Sequence, residues 1–160
     1  MSKVIIVDPA KCLGCLSCMV ACSTKNEGTG DLNASRIRVT PFLKEAYSVP
    51  TVCLQCETAY CALVCPVTAL DKNTETGVVE LDRDKCIGCK LCLVACPFGN
   101  LTFVNGVAAK CDLCGGDPTC VKVCQWGALT YGEADEIGAD RRLVVANKIY
   151  ESQKEALSVV

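Results

Sequence analysis

The chain has 160 residues, of which sixteen are cysteine and none is histidine, and its net charge is −2. One cysteine in ten residues is typical of a disulfide or metal-binding scaffold. The absence of histidine excludes Ser-His-Asp and Cys-His catalysis, and without a basic excess we expect no nucleic-acid partner.

The predicted elements are short, beginning with an apolar strand candidate at Val4–Val7 that is too short for a signal peptide's apolar region. Further strands are predicted at 35–40 and 78–81, with a hairpin turn at 73–77. Helical turns are predicted at 19–21 and 93–95, a surface loop at 23–34, and a longer helix at 141–157 capped by Asp140. No element buries a large core, and no stretch reaches the length of a membrane span.

The sixteen cysteines form four runs of four. The first run is Cys12, Cys15, Cys18 and Cys22, and the third is Cys86, Cys89, Cys92 and Cys96, both spaced C-x2-C-x2-C-x3-C. The second run is Cys53, Cys56, Cys61 and Cys65, and the fourth is Cys111, Cys114, Cys120 and Cys124, with longer middle gaps. Residues 4–22 and 78–96 share ten identities in 19 positions, which indicates an internal repeat.

This spacing is typical of iron–sulfur ligands. Three thiolates of C-x2-C-x2-C surround one small volume, and the fourth cysteine, predicted to start a helix that faces away, ligates a different cluster, as in two-cluster bacterial ferredoxins. Sixteen thiolates therefore predict four [4Fe–4S] clusters. The alternatives fit less well, because a zinc site needs two C-x2-C pairs separated by a loop. Eight disulfides need an oxidising compartment, whereas we expect a cytoplasmic protein.

The runs are predicted to pair in a nested way. Only 20 residues separate Cys65 from Cys86, so the second and third runs form a local module, across which the first and fourth runs pair. The predicted ligand sets are site A (Cys12, Cys15, Cys18, Cys124), site B (Cys22, Cys111, Cys114, Cys120), site C (Cys53, Cys56, Cys61, Cys96) and site D (Cys65, Cys86, Cys89, Cys92). Pairing the first run with the second, and the third with the fourth, is the alternative.

The predicted fold class is a small α+β protein made of two bacterial-ferredoxin-like modules. The outer module comprises residues 1–34 and 97–132, the inner module comprises residues 35–96, and residues 133–160 form a C-terminal tail or helix. Because the strands and helices are short, we expect the clusters to supply much of the folding free energy.

Several motifs resemble those of a known family: Cys53-Leu-Gln-Cys56, Cys61-Ala-Leu-Val-Cys-Pro66, Asp84-Lys-Cys-Ile-Gly-Cys-Lys90 and Lys110-Cys-Asp-Leu-Cys114. They are similar to motifs of the four-cluster ferredoxin-like subunits of molybdenum and tungsten oxidoreductases, formate dehydrogenases and hydrogenase complexes. The resemblance covers residues 3–132, extends to the small electron-transfer subunits of tungsten-dependent aldehyde oxidoreductases, and implies the nested pairing. Thr58-Ala59-Tyr60 and Gln125 depart from the family's usual prolines without removing a ligand.

The resemblance implies an electron-transfer subunit with no active site of its own. Its expected partners are a large catalytic redox subunit with tungsten or molybdenum, a flavin or other electron-acceptor subunit, or a second copy of this chain. A radical or dehydratase enzyme would need a three-cysteine site with an open iron, but every run is complete. A freely diffusing carrier that uses its clusters as capacity is the remaining alternative.

Lysine precedes the first cysteine of three runs, as Lys11, Lys85 and Lys110, and Lys90 lies within one run. Such charges could raise the reduction potential of an adjacent cluster. Solvated lysines on tight surface loops are the simpler interpretation, and it is the one we favour from the sequence.

Overall fold

The structure, a computed structural model, describes residues 3–157, and its strands pair two by two into four antiparallel sheets. The strands are β1 (Lys3–Val7), β2 (Arg38–Phe42), β3 (Tyr47–Thr51), β4 (Leu70–Lys72), β5 (Val79–Leu81), β6 (Leu101–Val104), β7 (Val107–Lys110) and β8 (Leu129–Glu133). β1 pairs with β8, β2 with β3, β4 with β5, and β6 with β7. Since two-stranded sheets are marginally stable alone, the fold depends on what packs between them.

The helices are mostly single turns placed beside the cysteine runs. They are α1 (Ser17–Glu27), α2 (Tyr60–Leu63), α3 (Leu91–Ala95), α4 (Thr119–Lys122) and α5 (Ala134–Leu157). The mixture of short helices and strands is that of small ferredoxin-like domains, as the sequence predicted. Within residues 3–157, none of these helices combines the length and apolar character that crossing a membrane requires.

The pairing of β1 with β8 joins the two ends of the cysteine-containing region. Val7 lies opposite Leu129 and Lys3 opposite Glu133, and the backbone N–H of Asp8 donates to the carbonyl of Ala128 at 2.8 Å. This long-range pair places the first cysteine run beside the fourth. The hairpin of β4 and β5 lies between the second and third runs, and the predicted turn at 73–77 connects its two strands.

Three local predictions need correction. Residues 23–27 are not a surface loop but the continuation of α1, which ends at Gly28 in the left-handed region. The strand predicted at 35–40 begins only at Arg38, because Ser35–Ile37 are buried and held by a hydrogen bond from the Ser35 hydroxyl to the Ile37 carbonyl. The final helix begins at Ala134 rather than after Asp140, since Asp135 and Glu136 already favour a helical first turn.

Two groups of buried apolar side chains form the core. The larger includes Ile5, Ile37, Leu113 and Leu129 together with four cysteines, and the smaller includes Leu70, Val79, Leu101 and Ala108. Leu101 and Ala108 come from the part of the chain assigned above to the outer module, yet they pack with residues of the inner module. The division into two modules remains a prediction.

A buried ion-pair cluster links α1 to two later segments. Oε1 of Glu27, whose side chain is 7% exposed, accepts from NH2 of Arg36 at 2.9 Å and from NH1 of Arg83. The Arg36 side chain is 8% exposed. Breaking such a pair leaves a buried charge without its partner, so the cluster fixes the segment around Arg36 against α1.

Candidate metal centres

Four small pockets are each lined by four cysteines from two different runs. Cys12, Cys15, Cys18 and Cys124 line the first, and Cys22, Cys111, Cys114 and Cys120 line the second. Cys53, Cys56, Cys61 and Cys96 line the third, and Cys65, Cys86, Cys89 and Cys92 line the fourth. The structure thus brings together the cysteines that the nested pairing assigns to sites A, B, C and D, and we use those letters for the cavities.

Each helix next to a cysteine run serves two cavities. Cys18 and Cys22 lie one turn apart on α1, with Cys18 at site A and Cys22 at site B. α4, α2 and α3 each carry the third cysteine of a run, and the fourth cysteine, which lines the other cavity, follows the end of the helix: Cys124 after α4, Cys65 after α2 and Cys96 after α3. We predicted that the fourth cysteine of a run starts a helix, and this is wrong. The fourth cysteine lies inside or just after a helix whose first turn contains the third cysteine.

Left-handed backbone shapes the loops around sites A and D. Gly14 and Leu16 have φ of 67° and 61°, and their repeat equivalents Gly88 and Lys90 have φ of 70° and 64°. Such residues turn the chain sharply, so that three cysteines close together in sequence can face one volume. The same conformations recur 74 residues later, as expected of the internal repeat.

Backbone amides donate to the sulfur of the last cysteine in three runs. The N–H of Arg36 lies 3.3 Å from Cys22 Sγ, that of Ala69 lies 3.2 Å from Cys65 Sγ, and that of Asn100 lies 3.4 Å from Cys96 Sγ. The side-chain amide of Asn26 also donates to Cys22 Sγ at 3.6 Å. In iron–sulfur sites, hydrogen bonds to the ligand sulfurs help to set the reduction potential of the cluster.

Burial dominates the protonation of the inner thiols. It raises the pKa of Cys111 and of Cys120 to about 12 and that of Cys18 to about 11, with neighbouring cysteines adding to the effect. Hydrogen bonds from the Ser17 hydroxyl and backbone lower the pKa of the exposed Cys15. Thiols with raised pKa lose their protons when a metal takes the proton's place, so loading of site B is expected to release protons and to be disfavoured at low pH.

The donor set fits a polynuclear cluster. All sixteen cysteines are free, so their thiols are available as ligands. Among residues 3–157 no group of three or more Cys, Asp or Glu could hold a metal ion by itself, and a four-iron core spreads its ligands more widely than one zinc does. Arg36 lines site B, and its Nε and NH1 are buried without an acceptor in the protein. An anionic cluster with sulfide acceptors would satisfy such N–H groups.

The prediction that the lysines preceding the cysteine runs are solvated holds for Lys11 and Lys85 but is wrong for Lys110. It is 3% exposed, whereas the side chains of Lys11 and Lys85 are 59% and 61% exposed and pair with Asp8 and Asp82. Sequence reasoning also missed Gln55, which is 5% exposed and lies in the left-handed region at φ 50°. The one local signal for Gln55 is its place inside a C-x2-C pair; its hydrogen-bond partners Val79, Lys110 and Cys111 are 24 to 56 residues away.

We predict that Gly88→Ala disrupts site D more than Gly99→Ala disrupts its own loop. Both glycines have positive φ, so both alanines cost about 1–3 kcal/mol of backbone strain. Only at position 88 would the new Cβ meet the Gly106 carbonyl oxygen at 2.5 Å, whereas at position 99 nothing lies within 4 Å. We expect a further loss of about 1–3 kcal/mol in the free energy of unfolding. Anaerobic thermal unfolding measures it, and equal losses in the two variants would contradict the packing at Gly88.

Comparison with known proteins supports the iron–sulfur interpretation. The 4Fe-4S dicluster domain family matches residues 44–134, and a 4Fe-4S binding domain family matches residues 9–25. The first of these ranges is more than half of the chain. Together the two matched ranges contain all four cysteine runs.

Curated relatives agree with the families. The thiosulfate reductase electron transfer subunit of Salmonella typhi is 34% identical over 94% of this chain and 85% of its own length. The polyferredoxin-like subunit of an aliphatic sulfonate oxidoreductase from Pyrococcus furiosus is 42% identical over 71% of this chain and 66% of its own length.

The beta subunit of NADH-dependent phenylglyoxylate dehydrogenase from Aromatoleum evansii is 41% identical over 79% of this chain. This chain spans only 29% of that relative's length. The resemblance to iron–sulfur subunits of oxidoreductase complexes that the sequence indicated is confirmed by these relatives.

Proposed function

The chain belongs to the 4Fe-4S dicluster domain family, and we propose that it is an electron-transfer subunit carrying four [4Fe–4S] clusters in series. The series would connect a catalytic redox subunit to a second electron carrier. The observation that carries this proposal is the set of four cavities with four cysteines each. A complete cysteine set leaves no iron with an open position for a substrate, so the chain would have no active site of its own.

Electrostatic interactions between thiols of different cavities support the order A, B, C, D. Burial is the main cause of the raised pKa values, and in three cases a cysteine of the next cavity raises the pKa further. The pairs are Cys18 of site A with Cys120 of site B, Cys53 of site C with Cys111 of site B, and Cys61 of site C with Cys92 of site D. Sites B and C would then be the middle of the series, with sites A and D at its ends.

The exposure of the cysteines also supports sites A and D as the two ends of the series. Cys15 at site A and Cys89 at site D are exposed, whereas the other fourteen cysteines are buried or half-buried. Leu13 and Ile87, which precede the two cysteines by two residues, are each 64% exposed. Apolar side chains around an exposed cluster ligand suit the docking of another redox protein. We therefore place the entry and exit of electrons at Cys15 and Cys89.

The relatives guide the choice of partners. Their names describe subunits of enzymes that oxidise or reduce substrates such as thiosulfate and phenylglyoxylate. For this chain we propose a large catalytic subunit with a tungsten or molybdenum cofactor at one end. A flavin or other acceptor subunit, or a second copy of this chain, would bind the other end.

Docking variants test this proposal. The chain, tagged and purified anaerobically from its native host, is expected to co-elute with a larger redox subunit whose metal is then identified. Leu13→Glu and Ile87→Glu should each release one of two partners, because each places a charge on one end. Leu43→Glu is the control, since Leu43 is 87% exposed and lines none of the four cavities. Failure of any redox subunit to co-elute, even at low salt, would favour a freely diffusing carrier.

A further inference from the structure

The contact between sites B and C differs from the other two contacts in the series. α1 carries cysteines of both site A and site B, and α4 carries Cys120 of site B and leads directly to Cys124 of site A. α2 and α3 connect sites C and D as α4 connects sites B and A. No such helix is found between sites B and C in residues 3–157. A buried hydrogen-bond network of Lys110 and Gln55 lies there instead.

Gln55 and Lys110 join the loops of the two sites directly. Gln55 lies between Cys53 and Cys56 of site C, and its Nε2 donates to the carbonyl of Cys111, a site B ligand, at 2.8 Å. Gln55 Oε1 accepts from Nζ of Lys110 at 2.9 Å and from the backbone N–H of Val79 at 3.1 Å. Three hydrogen bonds therefore fix the side-chain amide of Gln55 between the two sites.

The hydrogen bonds of Lys110 identify its Nζ as an ammonium. Besides Gln55 Oε1, Nζ donates to the carbonyls of Val79 and Cys111, each at 2.8 Å. Three acceptors require three N–H bonds, which an ammonium has and a neutral amine lacks. The charge is almost fully removed from water, since Lys110 is 3% exposed.

This charge lies beside both central sites. Lys110 lines the cavity of site C, directly precedes Cys111 of site B and donates from Nζ to the Cys111 carbonyl. Lys11 and Lys85 occupy the matching sequence positions before the first and third runs, but they lie in solvent beside Asp8 and Asp82.

We propose that the Lys110 ammonium is a charge shared by sites B and C that raises the reduction potentials of both clusters together. This inference rests on the function proposed above. Each cluster gains one electron on reduction and becomes more negative, without any bond being formed or broken. A fixed positive charge in a medium of low dielectric constant favours the reduced state of both neighbours. Lys110 lines neither site A nor site D, so we expect a smaller effect on their clusters.

The test is an anaerobic redox titration of the whole protein, followed by electron paramagnetic resonance, with dithionite as reductant. Cys114→Ser and Cys56→Ser first assign the couples, since each perturbs the cluster of one site. In Lys110→Met we expect the reduction equilibrium of two couples, those of sites B and C, to fall at least tenfold, which is about 59 mV for one electron. Lys110→Arg keeps the charge and should restore both potentials, and Lys85→Met, the matched control, should leave all four couples in place.

Unchanged B and C couples in Lys110→Met, or a shift equal to that in Lys85→Met, would overturn the inference. Because Lys110→Met leaves buried acceptors unsatisfied, Lys110→Gln, which retains two N–H donors, is titrated beside it. If neither variant assembles fully, the titration of Lys110→Arg decides: B and C couples at the wild-type potentials support the shared charge, and B and C couples that fall despite the retained charge overturn it. A wild-type protein with fewer than four couples would instead refute the proposed function, so the two failures are distinguishable.

Discussion

Removal of iron is expected to unfold most of the protein. The buried apolar groups are small, and five of their sixteen members are cysteines: Cys22, Cys53, Cys92, Cys111 and Cys120. The strands form only two-stranded sheets, and α2, α3 and α4 are single turns. The clusters would therefore supply the contacts on which the core is built, and their binding free energy is folding free energy.

The measurement is far-UV circular dichroism and limited proteolysis before and after iron is chelated from the reduced, anaerobic protein. We expect the helical signal and the protease resistance to fall together over residues 3–133. A tryptic map separates this loss from any change in α5, which carries none of the cysteines. An apo-protein that stays compact and resistant would show that the apolar core alone sustains the fold.

Replacement of Cys22 by alanine is expected to interrupt electron transfer between the two ends of the chain. Cys22 is buried on α1, and its Sγ accepts hydrogen bonds from the N–H groups of Arg36 and Asn26. We expect no other side chain to replace it as the proposed ligand of site B. Iron content should fall from about sixteen to about twelve atoms per chain, because one four-iron cluster is lost.

With site B empty, a catalytic partner turning over its substrate should reduce only the clusters on its own side of the gap. Cys15→Ala is the informative comparison, since it removes an end of the series and should block exchange with one partner while leaving the other clusters connected. Rapid-mixing absorbance measurements on the assembled complex distinguish these patterns. Reduction of all remaining clusters in Cys22→Ala at the wild-type rate would contradict a series that passes through site B.

Much of the candidate site was predictable because its determinants are local. Cysteines three residues apart, together with glycine at positions 14 and 88, set the loops that surround sites A and D. The repeat of residues 4–22 at 78–96 reappears as matching φ angles and matching Lys–Asp pairs. The β1–β8 pair then follows from the nested order of the runs, which requires the first and fourth to meet.

The buried polar groups were not predictable from the sequence. Lys110 resembles Lys11 and Lys85 in its sequence position, and only the approach of Gln55 and Val79, 55 and 31 residues away, removes it from water. Arg36 likewise becomes buried through its pairing with Glu27. The partners of Lys110 are distant in sequence, and Glu27 lies nine residues from Arg36, which is not a helical or strand repeat. No local periodicity therefore predicts the burial of either side chain. The start of α5 at Ala134 was missed for a simpler reason: the prediction placed the helix cap at Asp140.

Iron and acid-labile sulfide analysis of anaerobically purified protein tests the central claim most directly. The ligand sets of sites A to D predict about sixteen irons and sixteen sulfides per chain, with four one-electron couples in a redox titration. An iron content near eight, or stoichiometric zinc in place of iron, would contradict the assignment of four [4Fe–4S] clusters to these sixteen cysteines.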